Sequence, residues 1–281
     1  MSDYDITVVI TSFKSENTII PCLNSINQKY KVLVVENSNN VDFKNKIESK
    51  FKNVKCLLSG ENLGYAKGNN FGLSKVKTRY SLILNPDAVL DSMAIDNFII
   101  TSKKSKDFAI IAPYIQEEKF KNENIKINKN LHEVENVKGF AMFLNMPEFK
   151  TLGFFDSNFF IYFEEIDLCR RVRLQKKKIF LDSSIRIFHS GGSSHDTIVN
   201  EEMELSRNWH WMWSSFYYNK KYNGFISAFI KVFPKLLSSI FKTIYYSISL
   251  NKNKQLIYYH RLSGLINSIL GRESWYRPKV L

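Results

Sequence analysis

Tyr80-Ser81-Leu82-Ile83-Leu84-Asn85-Pro86-Asp87-Ala88 is the stretch that decides the fold. Its apolar run reads as a buried strand, and strands buried on both faces belong to parallel sheets covered by helices. Pro86 has no N–H and fixes its own φ, so ladder pairing stops there and the chain turns. Asp87 then stands on a stiff corner at the carboxyl end of the strand, the edge at which open α/β sheets bind ligands. An acceptor-only carboxylate in that place suits a divalent cation held against a phosphate. The same string also serves as an ordinary strand-ending turn with a solvated Asp.

Working outward, strands alternate with helices. Ile6 to Thr11 is β-branched and continuous, and Lys31 to Val35 ends in the turn string Glu36-Asn37-Ser38-Asn39-Asn40. Between them Ser15-Glu16-Asn17 opens a helix with Ile19, Ile20, Leu23 and Ile26 on one face. A helix over Phe43 to Phe51 and a strand over Val54 to Leu58 follow. Asn62-Leu63-Gly64-Tyr65-Ala66-Lys67-Gly68-Asn69-Asn70 then opens another helix. This spacing predicts a doubly wound, mainly parallel α/β sheet. Farther on, helices are expected near Ser92 to Lys103 and over Glu164 to Gln175. Strands are expected at Phe108 to Ala112, Val137 to Leu144, Lys178 to Leu181 and from Ile185. Glu117 to Asn130 reads as an exposed loop or hairpin, and His189 to Ser194 as a flexible glycine-rich turn.

The chain has 281 residues, 44% hydrophobic and 24% charged, enough for a large α/β domain with an appendage and too apolar for disorder. Its net charge of +13 asks for an acidic neighbour: nucleic acid, anionic lipid or a phosphorylated substrate. Three widely spaced cysteines, Cys22, Cys56 and Cys169, give no metal or disulfide framework and point to a reducing compartment. No basic leader precedes the first strand pattern, so a cytoplasmic location is expected.

Three groups could carry chemistry. Asp87 is the first. Glu164-Glu165-Ile166-Asp167 opens a helix directly behind Phe159-Phe160-Ile161-Tyr162-Phe163. Acids in a first helical turn suit the helix dipole, and a carboxylate against aromatic rings is desolvated, which raises its pKa toward that of a general base. His189, at a strand end, is either structural or the second ligand of a cation site that tolerates Mn²⁺ or Mg²⁺. The Asn62 to Asn70 segment is neither a dinucleotide fingerprint nor a P-loop, yet it brings small residues and amides to a helix start.

In this order these segments, with Thr11-Ser12-Phe13 and Val34-Val35-Glu36-Asn37-Ser38, resemble the family 2 glycosyltransferases of the GT-A fold. The nearest branch is that of the bacterial rhamnosyltransferase-like enzymes. The resemblance runs from about Asp5 to Ser194, and Arg207 to Lys221 and Gly271 to Pro278 are similar to that branch's tail. It implies a nucleotide-sugar domain over 1–205 and a helical, basic C-terminal region over 206–281. It implies a dTDP- or UDP-sugar donor and a glycan or lipid-linked acceptor. Thr11, Ser12 and Glu36 would line the base and ribose pocket, with Asn62, Gly64 and Lys67 beside the nucleotide. Asp87 would match the last acid of the Asp-x-Asp motif and hold the cation, joined by His189. Glu165 would match the catalytic base, with Glu164 beside it, and Gly139 the acceptor loop. The departures are Asn85 for the first acid of the motif, and glutamates at 36 and 165 where aspartate is usual.

Phe225 to Leu250 is different in kind. Lys231, Lys235 and Lys242 fall within about 40° of one another at 100° per residue. Phe229, Phe233, Leu236, Leu237, Ile240 and Ile244 lie opposite, and Pro234 is expected to break or kink the helix. The pattern suits a helix in an anionic membrane interface at the inner face of the plasma membrane, or one packed on the catalytic domain. Two other classes remain open: a degenerate domain that binds membrane or nucleic acid, and a nucleotidyltransferase. Against nucleic acid, the lysines are spread over the whole chain. Trp209, Trp211 and Trp213 could mimic a stacking surface, but an aromatic anchor fits them better.

Overall fold

The structure, a computed structural model, describes residues 5–105, 107–113, 131–189 and 200–279. The loop expected over Glu117 to Asn130 and the glycine-rich turn beyond His189 lie outside these residues.

The alternation read from the sequence is present. It runs β1 (Ile6–Ser12), α1 (Ile19–Ser25), β2 (Lys31–Glu36), α2 (Val41–Lys50), β3 (Val54–Leu58), α3 (Gly64–Leu73) and β4 (Tyr80–Leu84). Then come β5 (Ala88–Leu90), α4 (Ala94–Lys104), β6 (Phe108–Pro113), β7 (Leu131–Glu133), β8 (Ala141–Asn145), α5 (Phe149–Leu152), α6 (Glu164–Leu174), β9 (Lys178–Asp182) and β10 (Ile187–His189). The chain closes with α7 (Asn200–Ile248) and α8 (Lys252–Ile269). Among the described residues, eight strands form one sheet in the order β3-β2-β1-β4-β8-β6-β9-β7. Its first four strands are mutually parallel, and β8 enters antiparallel to both β4 and β6. Val8, Val9 and Ile10 of β1 and Leu82, Ile83 and Leu84 of β4 are all buried, as strands covered on both faces require. Each such side chain is worth roughly 1.5–3 kcal/mol of burial.

Register fixes the ligand edge. Ser12 pairs with Glu36, and Ile10 with Leu84, so β1, β2 and β4 end together and deliver Thr11, Ser12, Glu36 and Asn85 to one side of the sheet. Helix α3 closes on this edge through Gly68. A Cβ there would lie 2.6 Å from Thr11 Cγ2 and 3.1 Å from Asn37 Nδ2.

Two expectations are corrected and one element is added. The strand at Tyr80 ends at Leu84, and a short strand absent from the sequence reading, β5, follows the Pro86 turn to pair with β10. The strand expected over Val137 to Leu144 starts only at Ala141, because Val137–Phe140 is a loop whose last carbonyl accepts from the Asn85 N–H. Pro234 does not end its helix: the carbonyl it leaves without a partner belongs to Ile230, an exposed residue, and the break falls at Gly224 (φ 76°, ψ 170°) instead.

The chain forms two compact units. The first comprises residues Met1–Leu63, Gly68–Phe155 and Leu168–Asp196 and contains both sheets. The second comprises Gly64–Lys67, Asp156–Asp167 and Thr197–Leu281. In it Met212, Phe216, Ala228, Val232 and Leu265 form a small core between the halves of α7 and α8. Trp209 and Trp213 are buried there too, which removes them as a stacking surface, while Trp211 is exposed.

Candidate active site

In the first unit, the pairing of β5 with β10 builds a polar cluster. Because His189 stands opposite Ala88, its imidazole reaches the preceding residue: Nε2 lies 3.4 Å from Asp87 Oδ1 and 3.5 Å from Asn85 Nδ2. Asp87 is buried and His189 about a quarter exposed. The ring of Phe140 stacks on His189 at 4.4 Å and holds its plane. Among the described residues no third His, Cys, Asp or Glu joins the pair. One carboxylate and one imidazole form a donor set that a Mn²⁺ or Mg²⁺ ion accepts, with coordination positions left for diphosphate oxygens.

At the neighbouring strand ends, Thr11 Oγ1 and Ser12 Oγ are buried and have no hydrogen-bond partner among the described residues. Buried polar atoms are satisfied in nearly all proteins, so two orphan hydroxyls at a ligand edge mark a surface shaped for a bound polar molecule. Glu36 is turned inward. Its carboxylate accepts from the Ser38 N–H (2.9 Å), the Asn40 N–H (2.7 Å) and the Ser38 hydroxyl, and so fixes the loop after β2. Asn62 is half-buried before α3, and Gly139 sits in the loop beside Phe140. Asn70 anchors Phe155 through both backbone groups, at 2.8 and 3.0 Å.

In the second unit, Glu164 and Glu165 open α6 behind an unusual turn. Tyr162 and Phe163 both have positive φ, 71° and 69°, a region that costs bulky residues of order 1–3 kcal/mol each. Contacts from α7 hold them there. Ser214 Oγ donates to the Ile161 carbonyl at 3.0 Å, and the Trp211 ring lies 5.3 Å from each of the two strained aromatics. One turn on, the fully buried Asp167 accepts from Lys221 Nζ (2.6 Å) and from the Tyr222 hydroxyl (2.8 Å). Lys221 also reaches Asp156 at 2.7 Å.

The electrostatics follow from this packing. Burial, then the charge of Glu165, pushes the Glu164 carboxyl well above the usual carboxylate range, and burial raises Glu165 as well. Oε2 of each is buried without a hydrogen-bond partner among the described residues. The Tyr162 phenol rises to about 12 for the same first reason. Gly64 (φ +73°) is required where it stands, since a Cβ would meet the Phe160 carbonyl oxygen at 2.5 Å, and Lys67 is exposed on the same helix. The tail is stitched to α7 by His210. That residue is buried, its ring bonding the Tyr276 carbonyl (2.9 Å) and Ser274 Oγ (3.1 Å), and burial drives its pKa down to about 3.

The structure thus brings Asn85, Asp87 and His189 together, aligns Thr11, Ser12 and Glu36 on one edge, and pairs Glu164 with Glu165. Sequence reasoning missed Phe140, which carries His189, and Lys221 with Tyr222, which carry the first turn of α6. No local signal marks Lys221 or Tyr222. The alternation Ala88-Val89-Leu90 against Ile187-Phe188-His189 could have revealed the β5–β10 pair, and with it the neighbour of His189.

The chain is similar in sequence and in fold to known proteins. The chain is 26% identical over 202 residues to a low-salt glycan biosynthesis hexosyltransferase of Haloferax volcanii, covering 62% of this chain and 64% of that protein. It is 30% identical over 116 residues to a teichoic acid poly(glycerol phosphate) polymerase of Staphylococcus epidermidis, covering 38% of this chain and only 16% of that protein. The chain therefore spans less than two thirds of these relatives' own length. A mannosyltransferase from Pyrobaculum calidifontis, solved with GDP-Man and Mn²⁺, shares its GT-A fold at a TM-score of 0.62 and 10% identity, over 96% of this chain and 88% of that one. Residues 7–180 match the profile of glycosyl transferase family 2, and the chain belongs to that family.

Proposed function

We propose that the chain is an inverting hexosyltransferase of cell-surface polysaccharide synthesis. In this reading it moves rhamnose or another hexose from a dTDP- or UDP-sugar to a hydroxyl of a glycan or lipid-linked glycan, at the inner face of the plasma membrane. The observation that supports it most is the Asp87–His189 pair fixed at the carboxyl edge of β4. Thr11 and Ser12 offer their orphan hydroxyls to the nucleoside. Glu36 shapes the adjacent loop, and Asn62, Gly64 and Lys67 serve the nucleotide. Asp87 and His189 would hold Mn²⁺ or Mg²⁺, with Asn85 bonding the imidazole. A cation so bound supplies neutralising charge to the departing diphosphate.

Glu165 takes the proton from the acceptor hydroxyl, and burial, which raises its pKa, makes it a stronger base than an exposed carboxylate. The acceptor oxygen bonds to the anomeric carbon while the carbon–oxygen bond to the diphosphate breaks on the opposite face. One displacement inverts the configuration and needs no enzyme nucleophile. Glu164 stands beside Glu165 at the start of α6, and Gly139 leaves room for the acceptor. A screen of nucleotide-sugars with Mn²⁺ or Mg²⁺, read by mass spectrometry, tests the reading. Free nucleoside diphosphate and an extended glycan are expected. Pyrophosphate release would instead assign a nucleotidyltransferase, and no turnover with any donor would leave a binding module.

A further inference from the structure

The described residues hold twenty-two exposed large apolar side chains, and sixteen of them lie at or beyond Phe225. Along α7 they fall in one stripe. Ile226, Ile230, Phe233, Leu237, Ile240 and Ile244 recur at alternating intervals of four and three, which places them on a single helix face about 27 Å long at 1.5 Å per residue. This is not the face that builds the core: Ala228, Val232 and Ser239, on the other side, are the buried ones. Helix α8 repeats the arrangement with Leu256, Tyr259, Ile266 and Leu270 exposed. Apolar surface on this scale marks an interaction site.

Charge says what covers it. From Phe225 to Arg272 the chain contains no Asp or Glu, yet it contains seven lysines and arginines. The like charges crowd one another: burial, then Arg261 and Lys231, depress the pKa of Lys235. We infer that the α7–α8 hairpin beyond Gly224 lies in the plane of an anionic lipid bilayer, with the Ile226–Ile244 stripe among the acyl chains and its lysines at the headgroups. The inference deepens the membrane-surface part of the reading above and rests on it.

Two other occupants fit less well. A second copy would set two such patches, each with seven cations and no acid, against each other. A spanning helix is suggested by an 18-residue window of mean hydropathy 1.4, only 17% buried. Spanning over that window would carry Lys231 and Lys235 into hydrocarbon. In the plane, those lysines stand about 140–180° around the helix from the stripe, on the water side, where the headgroup field, screened over about 8 Å, reaches them. Exposed Tyr245, Tyr259 and Trp275 suit the same depth.

The test is co-sedimentation of the full-length protein with phosphatidylcholine vesicles, with and without phosphatidylglycerol. Partition onto the anionic vesicles should be at least about tenfold stronger and should fall with salt. The double variant Ile230→Glu, Leu237→Glu, both at exposed positions, should lose that binding by about tenfold or more with circular dichroism and Tm unchanged. Ile100→Glu, an exposed apolar site of the first unit, should bind as the parent does. Equal binding to both vesicles, or an unaffected double variant, overturns the inference. So does a dimer abolished by the same substitutions, or resistance to alkaline extraction, which would show a spanning helix. Partition is read without transfer. A protein that docks but moves no sugar therefore sinks only the enzymatic reading, and one that moves sugar without docking sinks only this one.

Discussion

Lys221→Met removes one ammonium from two carboxylates, and the structure sets the size of the effect. Lys221 Nζ stands 2.7 Å from Asp156 and 2.6 Å from Asp167, whose side chains are 14% and 0% exposed, while Lys221 itself is 28% exposed. Removing one partner of a fully buried pair costs about 3–5 kcal/mol. The value here is smaller for two reasons. Solvent already screens part of Lys221, and hydroxyls remain: Tyr222 on Asp167, and Tyr217, with Asn158, on Asp156. A loss of about 2–3 kcal/mol is expected at pH 7, which lowers Tm by roughly 5–10 °C in a chain of this size. Burial alone would raise the Asp156 carboxyl, but Lys221 and the Asn158 N–H hold it below its usual value. A depressed folded pKa contributes stability that is present above the unfolded value of about 3.9 and disappears as pH falls through the folded one. The gap between parent and variant should therefore be full at pH 7 and narrow as the Asp156 carboxylate protonates. Lys221→Arg should recover most of it. Thermal unfolding across pH measures this directly. A variant as stable as the parent at pH 7, or a gap that persists in acid, would refute the assignment of Lys221 as the clamp on this turn.

The paired glutamates give an opposite sign. Because the Glu164 pKa is raised in the folded state, its contribution is complete below the unfolded value of about 4.3 and is lost as pH rises through the native one. Glu164→Gln should thus raise Tm at pH 8 and do little at pH 4.5. Glu165→Gln should leave donor binding intact and cut turnover by about 10²-fold or more, as loss of a general base does, measured by nucleotide release beside donor titration. In the parent, turnover should rise with pH through a midpoint above about 4.3, since burial raises the Glu165 carboxyl. Asp87→Asn should weaken donor and Mn²⁺ binding together, read by calorimetry. Gly64→Ala should cost about 2 kcal/mol or more, since its Cβ meets the Phe160 carbonyl at a positive φ, seen as a lower midpoint in urea.

The sheet was legible because its strands are simple. Val8-Val9-Ile10 and Leu82-Ile83-Leu84 are continuous apolar runs ended by turn chemistry, and their pairing follows from alternation with helices. The raised pKa of Glu165 was legible too, from five residues of mostly aromatic wall ahead of it. What was hidden depends on contacts distant in sequence. Only two three-residue apolar strings, far apart in the chain, hint that His189 stands opposite Ala88, and nothing near Lys221 announces Asp156 or Asp167. Pro234 misled for a local reason: proline ends helices when the orphaned carbonyl is buried, and here that carbonyl belongs to exposed Ile230. Glu36 holds its own loop, which sequence alone could not distinguish from reaching outward.

The placement of strain explains why the C-terminal helices group with the carboxylate turn. Two consecutive bulky residues at positive φ store a few kcal/mol that Asp156–Asp167 alone cannot hold. Left to relax, Tyr162 and Phe163 would return to negative φ and swing the first turn of α6, carrying Glu164 and Glu165 with them. Ser214, Trp211, Lys221 and Tyr222 prevent this, and all four come from the part of α7 before the Gly224 break. The half beyond the break carries the exposed apolar stripe. One helix therefore has two tasks divided at one glycine, aiming the carboxylates on one side and presenting apolar surface on the other. A residue with a side chain at 224 would favour a continuous helix, tie the two tasks rigidly together, and so disturb both at once.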